Sequence, residues 1–483
     1  MHQLKMPSRQ KYTSRANTRV SLSRIFLFLA VLLTVEQVSC QFWKRLADRV
    51  GGKKADAVQD AIHQQLAVEQ GVPVVLLSNN NALPLIGLGV GNLEASIVPL
   101  MVASAVKDDK RTRMIDTSHL SNNEHLVADG INRGIRSMAD ASSEERITIH
   151  VVTKVWYTYL GYERTKISIQ ESVARLKEAS SNPRVDLKLH ILLAWPRCYD
   201  TISWMNCEKD EEKTPDHVKK AGSPPHLNKD AWKGSWRALE EAYLSDTYTV
   251  ESIGVANFHL RDLQELTAHA KVEPHILQTN IWTLLYDPLM IRHCHENGVH
   301  IQVHNVMKSI VLNQDKLPNA YHHLLKTASE LSESTPNGRD VSPAQTILAW
   351  LIQHGVSVVP QTSKLSRLQE NSAMDLATIP ELTDFQVESM AHTIEAFLSN
   401  KDLEEDIHVK VSFHATTMDT FLYWKAHDGD EVKVAFIPKG ETYHDITYPN
   451  HSFRLYNAKN KDHYIDHKIT ATFGEHEDVH AEL

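Results

Sequence analysis

The sequence predicts an α/β fold: a (β/α)8 TIM barrel, in which eight parallel strands alternate with helices, followed by a small all-β, sandwich-like domain. Between residues 73 and 398, short apolar runs alternate with helical runs eight times, which is the order that parallel βαβ units require. Beyond Asn400 the apolar period shortens from about 3.6 residues to two, which is typical of half-buried strands. A chain of 483 residues is long enough to bury both cores.

Composition and charge indicate a globular protein and argue against a general nucleic-acid binder. Hydrophobic residues make up 42% of the chain and charged residues 23%, which are ordinary values for folded domains. The 51 Lys and Arg residues are outnumbered by 60 Asp and Glu residues, for a formal net charge of -9. Because a nucleic-acid-binding domain is usually basic, we expect no nucleic-acid partner.

Residues 1–40 have the pattern of a cleavable secretory signal peptide. A series of Lys and Arg residues precedes an apolar run over residues 25–35, and the small-residue step Val38-Ser39-Cys40 follows it. The apolar run is too short for a stable membrane span, which needs about 20 residues. An uncleaved signal anchor is the alternative. Residues 41–72 then follow a helical period, which predicts an extension packed on the barrel or a loosely held leader.

The opposite end, residues 477–483, is an acidic tail that finishes with His480-Ala481-Glu482-Leu483. This tetrapeptide resembles the His/Lys-Asp-Glu-Leu signal that returns soluble proteins to the endoplasmic reticulum, although Ala481 departs from the pattern. Together with the signal peptide, it predicts a protein of the endoplasmic reticulum lumen. A secreted protein is the alternative if retrieval is weak.

The elements of the barrel follow in order from residue 73. A hairpin that turns at Asn79-Asn80-Asn81 is expected to plug the barrel floor. Strand candidates lie at 86–89, 113–116, 147–153, 189–194, 252–256, 276–279, 300–304 and 356–359. Helix candidates lie at 93–107, 123–138, 166–178, 235–245, 260–270, 288–297, 343–353 and 364–372. Ser342-Pro343-Ala344-Gln345 is a capping box with proline at the first helical position, and a further helix at 384–398 completes the unit.

Two long segments, 197–233 and 306–341, are predicted to be loops over the mouth of the barrel, where loops shape access to a site. Cys198 and Cys207 lie in the first loop and are the natural disulfide pair in an oxidising compartment. Cys294 follows a helical pattern and is expected to be a small buried residue. The cysteine and histidine spacings indicate no metal site.

Residues 407–476 are predicted to form the small antiparallel β-domain, joined to the barrel by an acidic linker. Turn signals with glycine, proline or asparagine separate its apolar alternations. The alternating residues are Val409, Val411 and Phe413, then Val432, Val434 and Phe436, then Ile469, Ala471 and Phe473.

The ends of four barrel strands carry an ordered set of motifs. Asp116 ends the second strand, Lys154 the third, Trp195-Pro196 follows the fourth, and Gly254-Val255-Ala256-Asn257-Phe258 ends the fifth. This order resembles the aldo-keto reductase family over about residues 74–396. The resemblance implies an oxidoreductase that acts on small carbonyl or alcohol substrates, with NADP(H) extended across the barrel mouth.

The resemblance implies four catalytic groups, of which two are present. Asp116 and Lys154 match the family's Asp and Lys; an ion pair that only holds two strands together is the alternative. Ser121 replaces the family's tyrosine and Ala194 its histidine, and a serine hydroxyl is far less acidic than a phenol of pKa about 10. His119 could supply the proton instead, or be a loop histidine with no catalytic role.

The resemblance also implies a cofactor site. The matched residues are Asn257 and Gln278 for the nicotinamide, Thr362 and Arg367 for the 2′-phosphate, and Glu370 and Asn371 for the adenine. Asn305 stands where the family usually has a tyrosine beneath the nicotinamide. Gln361 replaces the usual lysine, which removes one charge-assisted phosphate bond, so we expect weaker NADP(H) binding. The alternative is that the Arg and Glu are solvated residues at the start of a helix.

Six residues of the β-domain resemble the β-domain of the von Hippel–Lindau tumour-suppressor protein, which implies a protein or peptide partner. They are Trp424, Gly429, Pro438, Gly440, His451 and Phe453. A generic β-sandwich is the alternative. Two functions therefore remain for the whole chain. It is an NADP-dependent oxidoreductase of low activity, or a pseudoenzyme whose barrel binds a ligand or presents the β-domain.

Overall fold

The computed structural model describes residues 66–138, 146–245, 248–281, 287–335, 338–403, 409–425, 431–447, 451–471 and 475–482. The predicted signal peptide and most of the predicted helical extension lie outside these ranges. In the described part of the chain, no helix is both long and apolar enough to cross a bilayer.

A three-stranded antiparallel sheet precedes the barrel. Its strands are β1 (Leu66–Glu69), β2 (Val72–Leu76) and β3 (Ala82–Pro84). The predicted hairpin is therefore confirmed, but the prediction that the helical extension continues to residue 72 is wrong. Leu66–Glu69 pair in register with the buried β2, and this pairing overrides the local helical period.

Eight parallel strands form the central sheet, as predicted. They are β4 (Gly87–Gly89), β5 (Met114–Asp116), β6 (Ile147–Val155), β7 (Val185–Leu193), β8 (Val250–Ala256), β9 (Ile276–Asn280), β10 (His300–His304) and β11 (Ser357–Val358). Parallel bridges from Ile86 to Val358 and from Gly89 to Gln361 join the first strand to the last. The Gly89 amide donates to the Pro360 carbonyl at 3.0 Å. The sheet thus closes into a barrel.

Helices surround the barrel. In chain order they are α1 (Val98–Ala105), α2 (Glu124–Arg136), α3 (Tyr162–Ser180), α4 (Cys207–Glu212), α5 (Asp216–Lys220), α6 (Ala231–Leu244), α7 (Leu260–His269), α8 (Pro288–Glu296), α9 (Lys308–Asn313), α10 (Pro318–Ser334), α11 (Pro343–Gln353), α12 (Leu365–Glu370), α13 (Ala373–Leu376) and α14 (Asp384–Ser399). Each predicted barrel helix is present. The Ser342 hydroxyl accepts from the Gln345 amide at 3.2 Å, which confirms the capping box at the start of α11.

The two segments predicted as loops are partly helical. Helices α4 and α5 lie within 197–233, and α9 and α10 lie within 306–341. Asn206 caps α4 through its side chain, and α10 buries Ala320, Leu324 and Leu331. An apolar face packed on neighbouring elements stabilises such helices more than local propensity does.

Two sheets form the C-terminal β-domain and pack face to face. One contains β12 (Val409–His414), β15 (Thr442–Thr447) and β18 (His476–His480), and the other contains β13 (Thr420–Lys425), β14 (Glu431–Ile437), β16 (Ser452–Asn457) and β17 (Tyr464–Lys468). Phe413 from the first sheet meets Phe453 from the second, with ring centroids 4.9 Å apart. The sandwich-like core is therefore as predicted.

Two details of the predicted β-domain are wrong. β12 and β18 are parallel, so the domain is not wholly antiparallel. The alternation that begins at Ile469 does not form a strand at Ile469 or Ala471, because β17 ends at Lys468 and the chain turns inward there. The sandwich contacts the barrel through His451, whose Nε2 lies 2.8 Å from Glu388 Oε2 on α14.

Candidate active site

A large cavity of about 1920 Å³ opens at the C-terminal ends of the barrel strands. This is the end of such a barrel where chemistry is usually found. Every residue that the sequence placed at the site lines this cavity. The lining includes Asp116, His119, Ser121, Lys154, Ala194, Asn257, Gln278, Asn305, Thr362, Arg367, Glu370 and Asn371.

Asp116 and Lys154 form a polar centre in the cavity. Lys154 Nζ donates to Asp116 Oδ1 at 2.6 Å and to the Thr117 carbonyl at 2.8 Å. Both charged side chains are 12% exposed, and a pair so little hydrated depends on each partner for charge compensation. The structure therefore brings together the carboxylate of β5 and the ammonium of β6.

The carboxamides of Gln278 and Asn257 are held by the protein itself. Gln278 Nε2 donates to Asp116 Oδ1 at 2.7 Å and to Gln302 Oε1 at 2.6 Å. Both of its amide hydrogens are thus used by protein acceptors. Asn257 Nδ2 donates to the Ala194 carbonyl at 3.0 Å.

Ser121 and Ala194 offer no strong proton donor. Ser121 lies in a short 3-10 helix, His119–Ser121, and its hydroxyl is 2.7 Å from the Ser118 hydroxyl. Ala194 is buried and presents only a methyl group. The cavity therefore has neither a phenol nor an imidazole at these two positions.

His119 is fixed from behind by α3. Its Nε2 lies 2.6 Å from Glu171 Oε2, and its ring meets the Tyr159 ring edge-on with centroids 4.5 Å apart. Although burial opposes the shift, hydrogen bonds from His119 and His217 lower the pKa of Glu171. The carboxylate fixes the orientation of the imidazole at the cavity wall.

His304, the last residue of β10, lines the cavity beside Asn305. Gln302 points into the barrel, where it bonds Gln278, and His304 lies two residues further along the same strand. Asn305 follows the end of the strand in a left-handed backbone conformation, with φ 55°, and it also lines the cavity. Burial and the nearby Lys154 ammonium lower the pKa of His304 to about 4. It is a neutral imidazole at pH 7.

The residues predicted to bind the adenosine part of the cofactor line the cavity on α12 or next to it. The Thr362 hydroxyl accepts from the Lys364 amide at 3.1 Å. Gln345 Nε2 on α11 donates to the Glu370 carbonyl at 2.9 Å and anchors α12. Arg367 is exposed at the cavity wall, where a guanidinium can reach a bound anion.

Comparison with known proteins identifies the barrel. The aldo/keto reductase family matches residues 96–394, more than half of the chain. The chain belongs to the aldo/keto reductase family. Glyoxal reductase of Bacillus subtilis is 26% identical over 300 residues, which cover 62% of this chain and 85% of that protein. NADPH-dependent D-xylose reductase of Candida boidinii is 24% identical over 309 residues, 62% of this chain and 87% of that protein.

The crystal structure of an aldo-keto reductase from Bombyx mori in complex with NADP is similar to the structure of this chain. It is 20% identical with a TM-score of 0.49, over 68% of this chain and 94% of that one.

Several residues that enclose the site of this aldo/keto reductase family member were not identified from the sequence. Tyr157 donates its hydroxyl to Asp210 on α4 at 2.6 Å, and Trp204, 57% exposed, lies 6.1 Å from Trp156 between ring centroids. The predicted disulfide between Cys198 and Cys207 is present and ties this segment down. Nothing local in the sequence indicates where such a segment lies. His304 did have a signal, because it alternates with Gln302 on a predicted strand.

Proposed function

We propose that the barrel binds NADP(H) and reduces a small carbonyl substrate slowly. The observation that carries this proposal is one cavity that joins the Asp116–Lys154 pair to Thr362 and Arg367. Family membership and the NADPH dependence in the name of one relative support the choice of cofactor.

The residues of the chain fit such a cofactor. Arg367 is exposed at the cavity wall for a 2′-phosphate, and Gln278 and Asn257 line the cavity where the family binds the carboxamide of the nicotinamide. Bound NADPH would supply the hydride. Asp116 and Lys154 hold a fixed charged pair beside the reaction space, while His304 contributes a neutral imidazole to its wall.

Slow turnover is expected because the site lacks a strong proton donor for the carbonyl oxygen. A carbonyl that accepts hydride also needs a proton, and a positioned acid typically contributes about 10²–10⁴-fold. Ser121 is tied to Ser118 and Ala194 carries a methyl group. We therefore expect generic aldehydes to be reduced far more slowly than by a barrel that has both groups.

Cofactor binding is tested by fluorescence quenching with NADPH and with NADH. Arg367→Ala should weaken the binding of NADPH at least about 10-fold and the binding of NADH less than about twofold. The difference is expected because a guanidinium can donate two hydrogen bonds to the 2′-phosphate, which only NADPH carries. Arg136→Ala, which changes an exposed arginine on α2, is the matched control and should change neither. Equal losses for both cofactors would show that Arg367 does not contact the phosphate. Failure of both cofactors to quench would refute NADP(H) binding.

A pseudoenzyme is the second candidate, and the engagement of Ser121 by Ser118 favours it. In this case the barrel binds NADP(H) or another ligand without turning it over. Saturable NADPH binding with no aldehyde-dependent oxidation, even at high enzyme concentration, would select this function. The β-domain would then be the part that meets a protein or peptide partner, as its resemblance to the von Hippel–Lindau β-domain suggests.

A further inference from the structure

The outer face of the β15–β12–β18 sheet carries a concentration of imidazoles, here called the histidine face. It consists of His414, His444, His476, Asp478 and His480. In the strand register, Ser412 of β12 lies between His444 and Asp478, and His414 lies between Thr442 and His480. The opposite side of the same sheet buries Val411, Phe413 and Val479. The histidine face therefore points to solvent.

Two of these imidazoles converge on one carboxylate oxygen. His414 Nε2 lies 2.9 Å from Asp478 Oδ1, and His476 Nε2 lies 3.2 Å from the same atom. These hydrogen bonds lower the pKa of Asp478, so the carboxylate is ionised at neutral pH. His476 Nε2 also contacts the Ser412 hydroxyl at 2.9 Å, as does His444 Nδ1.

We propose that the histidine face binds a divalent transition-metal ion of the zinc class, with His414, His476 and Asp478 as its protein ligands. Two imidazole nitrogens and one carboxylate oxygen suit Zn²⁺, Cu²⁺ or Ni²⁺, whereas Mg²⁺ and Ca²⁺ prefer ligand sets built from oxygen. His480 stacks on His414 with ring centroids 4.5 Å apart and holds that ring in place.

Metal binding requires the side chains to rearrange. In the present rotamers both imidazoles hydrogen-bond Asp478 Oδ1, and the three ligand atoms are spaced more widely than in a formed metal site, so His414 and His476 would have to turn their Nε2 atoms toward a common point beside the carboxylate. His476 and Asp478 are exposed and His414 is partly exposed, so their side chains can turn without disturbing the core.

Other features of the chain do not compete for this role. Among the described residues, a tighter group of donor side chains is formed by Cys198, Asp200 and Cys207, but both sulfurs are joined in the disulfide.

The test is zinc binding to the full chain, purified without added tag histidines, in competition with a chromophoric chelator. We expect one saturable site in the unmodified chain. His414→Ala, His476→Ala and the nearly isosteric Asp478→Asn should each weaken it at least about 10-fold. His463→Ala, an exposed histidine in the turn before β17, is the matched control and should change the affinity less than about twofold. Magnesium should not displace the zinc.

A second readout follows from the position of the site across two strands. Because a ligand that binds only the folded state stabilises it, zinc should raise the melting temperature and slow proteolysis within β18. Both effects should be absent in Asp478→Asn. The proposal is overturned if zinc uptake is the same in the unmodified chain and in His414→Ala/His476→Ala, or if the His463 control loses as much as the ligand variants.

Discussion

Ser121 and Ala194 stand on the wall of the same cavity that holds the Asp116–Lys154 pair. A Cβ atom built at Gly91 would lie 3.2 Å from the Ser121 hydroxyl, so the missing side chain of Gly91 leaves room beside position 121. We expect Ser121→Tyr with Ala194→His to raise NADPH-dependent reduction of a generic aldehyde at least about 10-fold, part of the range typical of acid–base catalysis. Loss of NADPH absorbance measures the rate.

Two further variants distinguish chemistry from packing. Ser121→Phe with Ala194→His fills the same space without a hydroxyl and should give little of the gain. Adding Lys154→Met to the Tyr/His variant should remove the gain, since the ammonium is then absent from the polar centre and cannot tune the phenol. A rate as high with phenylalanine as with tyrosine would contradict the expected proton transfer.

The predicted site residues that contact one another share one property: each lies at or near the end of a barrel strand. Asp116, Lys154 and Gln278 meet in space because parallel strands end at the same rim. His304 was not identified, because matching a motif letter by letter ignores which face of β10 each residue occupies. Asp210 could not be located, as its place depends on a long connection.

At the scale of elements, the segment from Cys198 to Glu212 forms one side of the cavity. The disulfide joins its first residue, Cys198, to the first residue of α4, Cys207. Asp210 accepts the Tyr157 hydroxyl, and the buried Glu211 pairs with Arg164 at 2.9 Å. Burial and the Asp210 hydrogen bond raise the pKa of Tyr157. The phenol therefore stays protonated and keeps this contact over the physiological pH range.

Removing the disulfide should loosen this segment without affecting the distant cofactor wall. We expect Cys198→Ser/Cys207→Ser to speed trypsin cleavage at Lys209, Lys213 and Lys219 several-fold, because a cross-link limits the opened states of a loop. NADPH affinity should change less than about twofold. Alkylation serves as a control: the Cys294 thiol, whose pKa burial raises, should remain unmodified in both native proteins. Unchanged cleavage would mean that the contacts of Asp210 and Glu211 suffice.

Secondary structure could be predicted wherever the spacing of apolar residues agreed with the residues that mark the ends of an element. Strands β4 to β11 and the capped helix α11 are examples. β1 was not predictable, because its strand conformation depends on pairing with β2. α10 was missed within a segment read as a loop, since its stability comes from packing against the rest of the barrel rather than from an N-cap side chain.

At the scale of the whole molecule, buried histidines make stability depend on pH. Burial lowers the pKa of His300 to about 3 and of His295 to about 4, and it lowers the pKa of His190 well below 6.5. In the unfolded chain each returns to about 6.5. Below that pH these imidazoles bind protons in the unfolded chain but stay neutral in the native chain, so the free energy of unfolding falls. The fall continues until the folded pKa values are reached.

Urea unfolding at pH 7 and pH 5 measures this effect. His300 and His295 should each cost about 2 kcal/mol of the free energy of unfolding over this interval, so the urea midpoint should be clearly lower at pH 5. His300→Gln should reduce the difference between the two pH values, because it removes one titrating group, whereas the exposed His463→Gln should not. Equal midpoints at both pH values would rule out this linkage.

We also propose that the chain resides in the secretory pathway, for which the disulfide is supporting evidence. The buried Ala481 amide donates to the His414 carbonyl at 2.9 Å, and its own carbonyl accepts from the Thr416 hydroxyl at 2.9 Å. The tetrapeptide is therefore partly held by the β-domain. Imaging an internally tagged chain should show luminal signal, and removing residues 480–483 should increase secretion.

A control keeps the last strand intact. Adding two residues after Leu483 covers the terminal carboxylate while leaving His480 and Ala481 in the sequence, and it should increase secretion as much as the deletion. A cytosolic signal for the unmodified chain would contradict the secretory proposal. Unchanged secretion on both alterations would remove only the retrieval step.

The closure of the barrel has a consequence for folding. The seam depends on β4 and β11, strands of 3 and 2 residues, and on bridges from Ile86 to Val358 and from Gly89 to Gln361. Contacts so distant in sequence form late, because the intervening chain must be ordered first. Gln361 and Thr362 also line the cavity. A ligand seated against them would bind only a barrel whose seam has closed, so its binding would report the completion of folding and stabilise the closed seam.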